Sequence, residues 1–464
     1  MTDVVDELTV ALGEDCVLTG ADVHNRQAGI WRSDTIQAKA LLRPRTTEQV
    51  SQALAICNAR GQSVIPLGGL TGLVRSADTA PDDIALSLER MNQIEEINPV
   101  DRIMIVQGGV ILQLLQEAAE EHDLMFPLDL GGRGSCTIGG NISTNAGGNR
   151  VIRYGMTRDM VLGLEAVLAD GTVVSSMNQM IKNNAGYDLK QLFIGTEGSL
   201  GVVTRAVLRL REKPKSRATM LVAVDEFAKL AKFLKHMDVA LGGTLSAFEV
   251  MWNNFYRLVT TAPAEGRPPI AQDYPYYVLV ESMGGDDSAV EAAMADAFEK
   301  DLLVDAVIAK SEAQRLGLWA LRDNVEQCGR YAPIYTFDVS MRISQMEDYL
   351  AEVNQRLESR YDEVNNFTFG HMGDGNLHLV VSVGQGGPET RRTVESCVYE
   401  PLLGIQGSVS AEHGVGLEKK PYLGISRNAQ EIELMRTIKK ALDPNGILNP
   451  GKIFDVASAG EAAA

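Results

Sequence analysis

Between Thr47 and Arg60 apolar side chains fall at Val50, Leu54 and Ile56 with Ala53 between them, a helical spacing that Gly61 ends. Residues 63–66 then read as a short strand that runs into Leu67-Gly68-Gly69-Leu70-Thr71-Gly72-Leu73, a glycine loop at a strand end. Further on, Ile138 and Ile142 flank glycines, an apolar segment covers residues 160–168, and residues 192–204 are β-like but punctuated by glycine. A polar, proline-containing break at residues 211–215 follows. Beyond it the glycine density falls and two periodicities alternate. Helices are expected over 226–237, 289–301 and 346–361, and strands over 276–280 and 377–383. Residues 262–269 read as an exposed loop and 457–464 as a low-complexity, disordered tail; there is no internal repeat. The pattern is α+β, with a boundary expected at 212/213.

Length agrees with more than one domain, since 464 residues exceed the roughly 250 to 300 at which single cores stop growing. With 45% hydrophobic and 22% charged residues the composition is that of an ordinary globular protein, and no apolar run reaches the roughly 18 residues of a membrane span. The chain is not expected to span a membrane. The acidic start Met1-Thr2-Asp3-Val4-Val5-Asp6-Glu7 lacks the basic and apolar regions of a targeting signal, which makes a cytoplasmic location the default. A net charge of −18 excludes nucleic acid as an expected partner. Five scattered cysteines without a Cys-x-x-Cys pair support neither a zinc ribbon nor an iron-sulfur cluster, so redox chemistry would need another cofactor.

The segment Gly139-Gly140-Asn141-Ile142-Ser143-Thr144-Asn145-Ala146-Gly147-Gly148, followed by Arg153-Tyr154-Gly155, suits a backbone that passes close to a flat, phosphate-bearing ligand. Fourteen of the chain's 44 glycines lie between Gly131 and Gly201, which argues for one binding surface rather than scattered turns. Neither this segment nor residues 67–73 has the spacing of a dinucleotide fingerprint or a Walker loop. A nucleotide cofactor is the expectation; surface turns are the alternative.

A second constellation is Gly370-His371-Met372-Gly373-Asp374-Gly375-Asn376-Leu377-His378, followed downstream by Ser410-Ala411-Glu412-His413-Gly414-Val415-Gly416. Three of the six histidines fall here. Asn376 and His378, two apart on an expected strand, face the same side. His371, His378 and Glu412 form a donor set suited to zinc or another divalent metal, against the alternative of hydrogen-bonded structural histidines. His413 could serve instead as a base.

Six ordered segments (residues 66–73, 127–155, 194–204, 370–378, 411–416 and 442–452) together resemble the flavin-dependent 2-hydroxyacid dehydrogenases of the vanillyl-alcohol oxidase superfamily, which includes D-lactate, glycolate and D-2-hydroxyglutarate dehydrogenases. The closing stretch looks most like the D-2-hydroxyglutarate branch. The resemblance implies an FAD-binding domain of two α+β subdomains over 1–212, a substrate and metal domain with an antiparallel sheet and flanking helices over 213–424, and a C-terminal helical segment over 425–456 that returns to the flavin.

It further implies that FAD is cradled by Pro66, Gly68, Gly69, Leu70, Thr71, Gly72 and Leu73 and by Thr137, Ile138, Gly139, Gly140, Asn141, Ser143, Thr144, Asn145, Gly147 and Gly148. Pro127, Asp129, Leu130 and Gly131, then Tyr154 and Gly155, then Gly195, Glu197, Gly198, Gly201, Val202 and Val203, and finally Asn449, complete the implied flavin site. Neither loop contains histidine, so noncovalent FAD is expected. By the same likeness His371, His378 and Glu412 hold a divalent metal, zinc, with Asn376 nearby; His413 is the catalytic base and Arg322 receives a substrate carboxylate.

The chain departs from the 2-hydroxyglutarate pattern at Glu326 and Thr336, where the family carries threonine and lysine. A carboxylate for a hydroxyl, and a lost cation, disfavour a second substrate carboxylate. The expected partners are a small 2-hydroxyacid and an electron-accepting protein or quinone; oligomeric state is open, a homodimer included. The competing readings are an oxygen-using flavin oxidase of an alcohol or sugar, and a noncatalytic flavin-binding electron-transfer subunit.

Overall fold

The computed structural model describes residues 3–456, so the expected disordered tail at 457–464 lies outside the described residues. The chain forms two compact units, one of residues 3–147, 156–213 and 412–456, the other of residues 148–155 and 214–411.

The first unit holds two principal sheets. Strands β1 (Val17–Thr19), β2 (Ala40–Leu42), β3 (Val64–Leu67) and β4 (Ile84–Ser87) are ordered β1-β2-β4-β3, with β2, β4 and β3 parallel. Strands β5 (Ile94–Asn98), β6 (Ile103–Gln107), β8 (Val161–Val167), β9 (Val173–Ser176) and β10 (Val202–Arg209) form an antiparallel sheet ordered β5-β6-β10-β8-β9. A short pair, β7 (Leu124–Met125) with β11 (Arg211–Glu212), closes this part.

The helix Thr47–Arg60 forms where its spacing predicts. Thr46 caps it by accepting the N–H of Gln49, Gly61 ends it at φ 61°, and Val50, Ala53, Leu54 and Cys57 bury one face. Helix Ala429–Leu442 belongs to the same unit. After it, Ile447 and Leu448 join the core beside β3, and Val64 donates to the Ile447 carbonyl at 2.8 Å.

Two local expectations differ from the structure. The glycine stretch after Thr137 is a short helix, Ile138–Thr144, capped by Thr137 and stopped by Asn145 at φ 49°. The β-like residues 192–204 become strand only at Val202, because Gly195, Glu197 and Gly198 take φ values of 82°, 52° and 72°, left-handed conformations that no strand can contain.

In the second unit seven antiparallel strands run β15-β12-β14-β13-β17-β18-β16, these being β12 (Arg217–Val224), β13 (Leu245–Trp252), β14 (Tyr276–Met283), β15 (Asp305–Ile308), β16 (Tyr335–Ser340), β17 (Asn365–His371) and β18 (Asn376–Ser382). The sheet packs a core of Leu221, Leu279, Met251, Phe369 and Val380 against Phe255, Val259, Leu318 and Leu321 of helices Asn253–Thr260 and Glu312–Asp323. The expected helices occur as Phe227–Ala240, Asp287–Glu299 and Met346–Glu358. No helix among the described residues is long and apolar enough to cross a membrane.

Candidate functional site

In the first unit the loop after β3 lies against the segment that starts the helix Ile138–Thr144, and the approach is close enough to require glycine. A Cβ on Gly69 would stand 2.0 Å from the Ser135 carbonyl oxygen, and one on Gly139 2.8 Å from that of Gly108. The cleft left between these segments has about 980 Å³ of open space. Of the residues expected to hold a cofactor, Pro66, Gly68, Gly69, Leu70, Thr71, Gly72, Thr137, Gly139, Gly140, Asn141, Ser143, Thr144, Glu197, Gly198, Gly201, Val202, Val203 and Asn449 line it.

Others do not line it. Ile138 is in the core, Leu73 is exposed, Asp129 pairs with Arg133 at 2.9 Å, and Asn145 is a helix cap. Pro127, Leu130, Gly131, Gly147 and Gly195 are also outside the lining, and Gly148, Tyr154 and Gly155 belong to the second unit. Sequence reasoning missed Arg32, Arg75 and Asp78, which also line the cleft: Asp78 pairs with Arg32 at 2.5 Å and with Arg75 at 2.6 Å. Arg32 and Asp78 are 46 residues apart, and no local signal announces the pair.

The cleft carries marks of a ligand. The side-chain oxygens of Asn141 and Asn449 have no hydrogen-bond partner among the described residues, and both residues are 5% exposed or less. Buried amide oxygens of this kind are costly unless something donates to them. Small backbone-lined walls with two waiting acceptors fit a flavin nucleotide, whose ring and ribose carry N–H and O–H donors. Cys136 also lines the cleft, and burial pushes its thiol up, away from reactive thiolate.

Glu197 is buried in the same wall. Its carboxylate accepts the N–H groups of Val415 at 2.7 Å and Gly416 at 2.9 Å, within the segment that carries Glu412 and His413. Burial raises its carboxyl above the ordinary range, and the two N–H donors only partly offset this. The Glu412 and His413 side chains approach to 3.9 Å.

The second unit assembles its ionisable groups across the sheet. Register pairs Glu249 on β13 with His371 on β17, Phe369 with His378 on β18, and His378 with Asp338 on β16. Glu249 is 1% exposed and accepts from His371 Nδ1 at 2.7 Å and from Arg322 Nε at 2.8 Å. Burial pushes the Glu249 carboxyl up, but the neighbouring His371 and Arg322 outweigh it and hold the carboxyl below its ordinary value. Arg322 also lies 3.5 Å from His371 Nε2 and over the Phe369 ring. The residue expected to meet a substrate carboxylate therefore already holds a protein carboxylate.

His371 and His378 rings stand edge to face at 5.2 Å, and His378 Nδ1 is 4.0 Å from Asp338, which is fully buried. Asn376 lies on the same strand two residues before His378, with its side-chain oxygen buried and without a hydrogen-bond partner among the described residues. Glu249 and Asp338 are absent from the residues expected on sequence grounds. Glu249 had a signal, a lone charge within the otherwise uncharged and largely apolar run Leu245–Trp252. Glu326 and Thr336, the two departures from the family pattern, are both exposed.

Comparisons with known proteins place this architecture. The family described as "FAD linked oxidases, C-terminal domain" matches residues 213–453, and "FAD binding domain" matches residues 38–176. A D-2-hydroxyglutarate dehydrogenase of Xanthomonas citri pv. viticola is 42% identical over 94% of this chain and 93% of that protein. The mitochondrial enzyme of that name from Bos taurus is 40% identical over 90% and 77%, and that of Stutzerimonas stutzeri 37% identical over 98% and 100%. Among solved structures, p-cresol methylhydroxylase with substrate bound gives a TM-score of 0.77 at 19% identity, covering 98% of this chain and 96% of that one. Alkyldihydroxyacetonephosphate synthase gives 0.76 at 15% identity, covering 97% and 84%. At these identities the structural likeness is one of fold.

Proposed function

This chain belongs to the FAD-linked oxidase family, and on that premise we propose that it is an FAD-dependent dehydrogenase that oxidises a D-2-hydroxyacid to the 2-oxoacid and passes the electrons to a carrier protein or quinone. The observation that carries the flavin part is the glycine-walled cleft with its two unpartnered amide oxygens, Asn141 and Asn449. The hydroxyacid part is supported by the relatives named D-2-hydroxyglutarate dehydrogenase. When bound, FAD supplies the two-electron acceptor for the hydrogen leaving C2 of the substrate. No histidine lines the cleft among the described residues, which supports noncovalent binding.

The chain's own residues divide the remaining work. His413 takes the hydroxyl proton, a role suited to an imidazole whose ring nitrogen can accept it. Arg322 and Asn376 orient the substrate, Arg322 through a guanidinium whose plane Glu249 fixes from behind. His371, His378 and Glu412 are the proposed ligands of a divalent metal, zinc, and Asp338 beside His378 joins this donor set. Glu249 would act as the carboxylate that orients His371. A divalent cation there would supply a Lewis acid that lowers the substrate hydroxyl pKa.

Glu326 disfavours a second carboxylate on the substrate. Steady-state kcat/KM is expected to be higher for D-lactate than for D-malate or D-2-hydroxyglutarate, and a strong preference for D-2-hydroxyglutarate would overturn that ranking. Bleaching of the flavin on anaerobic addition of a 2-hydroxyacid tests the dehydrogenase reading directly. Absence of bleaching with every acid in the panel, with and without added zinc, would refute it. His413→Ala is expected to keep FAD and to slow bleaching by about 10²- to 10⁴-fold.

A further inference from the structure

Every polar group of Glu197 is engaged, and the partners come from separate stretches of the first unit, with the Ser76 side chain also bonded to the carboxylate. Its N–H donates to the Ser143 carbonyl at 2.7 Å, in the helix that lines the flavin cleft. Its carbonyl oxygen accepts from Asn449 Nδ2 at 2.6 Å, and its two carboxylate oxygens each accept one of the consecutive N–H groups of Val415 and Gly416. The backbone sits at φ 52°, an uncommon conformation for glutamate that the surroundings must enforce.

The fit is tight on the opposing side as well. A Cβ on Gly414, whose φ is 87°, would lie 2.8 Å from Glu197 Oε1, and one on Gly416 would lie 2.0 Å from the Val74 carbonyl oxygen. Leu417 donates to that same Val74 carbonyl at 2.9 Å. The residues just after His413 are thus clamped between Glu197 and the end of the glycine loop. A carboxylate buried at 7% exposure is an expensive way to satisfy two N–H groups that water could have satisfied. Its two oxygens, fixed on one anchored side chain, give each N–H group its own acceptor at one set spacing.

We propose that Glu197 is the positioning residue that sets the backbone of His413 against the flavin cleft, a proposal that rests on His413 being the base. Glu197 is rigidly joined to the cleft wall through Ser143 and Asn449 and to the histidine segment through Val415 and Gly416, so it transmits the location of one to the other. Misplacement of a catalytic group by about 1 Å can lower a rate on the order of 100-fold. Glutamine offers one acceptor oxygen and turns an NH₂ group toward the second N–H, so it breaks half of the clamp while keeping its volume.

The test is anaerobic stopped-flow reduction of the FAD-loaded protein by its 2-hydroxyacid, comparing wild type, Glu197→Gln, His413→Ala and the double variant, with FAD content measured for each. Glu197→Gln is expected to keep FAD and to slow flavin reduction by about 10- to 100-fold with little change in the substrate concentration needed for half-maximal rate. The double variant is expected to be no slower than His413→Ala alone, because a base that is gone cannot be misplaced. Multiplying losses, or a wild-type rate in Glu197→Gln, would overturn the proposal. If Glu197→Gln emerges without FAD, Gly414→Ala pushes on the same clamp from the other side; it should slow reduction comparably, and an unchanged rate would overturn the proposal. Undiminished reduction in His413→Ala refutes the base role itself, an outcome distinct from multiplying losses, which leave the base intact and remove only its link to Glu197.

Discussion

The cleft of the first unit presents backbone edges, glycines and short polar side chains, whereas the sheet of the second unit presents ionisable side chains that already hold one another. The cleft wall is permissive: among the described residues the buried side-chain oxygens of Asn141 and Asn449 meet no donor. The sheet is committed, because Glu249 receives both His371 and Arg322. A site made of backbone can stay folded while it waits for a cofactor. A site made of buried charge must be neutralised by the protein itself, and its ligand must then compete with internal partners.

The largest expected effect follows from that commitment. Glu249→Ala strands His371 and Arg322 in a nearly dry interior, and breaking a buried ion pair by deleting one partner costs about 3 to 5 kcal/mol. Denaturant unfolding monitored by tryptophan fluorescence reports it, since Trp252 and Trp319 lie in the second unit and only Trp31 in the first. A loss below about 1 kcal/mol, the usual range of an exposed pair, would mean that water reaches the cluster and that the contrast with the cleft is false.

Next in size is a change in the cleft that should spare the fold and remove the cofactor. Gly69→Ala sets a methyl 2.0 Å from the Ser135 carbonyl oxygen; overpacking of about 1 to 3 kcal/mol corresponds to roughly 5- to 150-fold weaker FAD binding in a fluorescence titration of the apoprotein. Gly72→Ala is the control. It lines the same cleft, yet its added carbon meets nothing within 4 Å, so near-normal affinity is expected. Equal losses in both variants would remove close backbone approach as the explanation.

The same contrast decides how much of each unit is legible in the amino-acid sequence. The helix Thr47–Arg60, its caps and the glycine loops are legible because helix periodicity and close backbone approach are written in neighbouring residues. The interior of the glycine stretch is not: the left-handed Asn145 and Glu197, which end a helix and break a strand, are set by packing rather than by local preference. In the second unit the histidines stand out by rarity, but Glu249 is 122 residues from His371 and 73 from Arg322. Only strand register brings them together. Asp338 is hidden for the same reason, being opposite His378 on a neighbouring strand.

A smaller effect probes the waiting acceptors. Asn141→Ala removes one unpartnered amide oxygen from the cleft; a typical hydrogen bond contributes about 0.5 to 1.5 kcal/mol, so FAD should bind roughly 2- to 12-fold more weakly, with no loss of stability in the apoprotein. Should the apoprotein be destabilised by as much as FAD binding is weakened, the oxygen serves the fold rather than the ligand.

The smallest effect concerns a place where the first unit also buries a charge. Among the described residues no ion pair to the Glu197 carboxylate matches that of Arg322 with Glu249, and burial raises its carboxyl above the ordinary value despite two N–H donors, the charge of Lys419 and the Ser76 side chain. The sign follows from proton linkage: a group that binds its proton more tightly when folded contributes stability that is fully present below its unfolded pKa and is lost as pH rises through the folded one. Glutamine does not titrate. The stability of wild type relative to Glu197→Gln, at equal FAD loading, should therefore fall as pH rises from the ordinary carboxyl range toward neutrality. A difference that rises with pH instead would mean that the N–H groups of Val415 and Gly416, together with the nearby charge of Lys419, outweigh burial, and that this carboxylate is held as securely as the one behind His371.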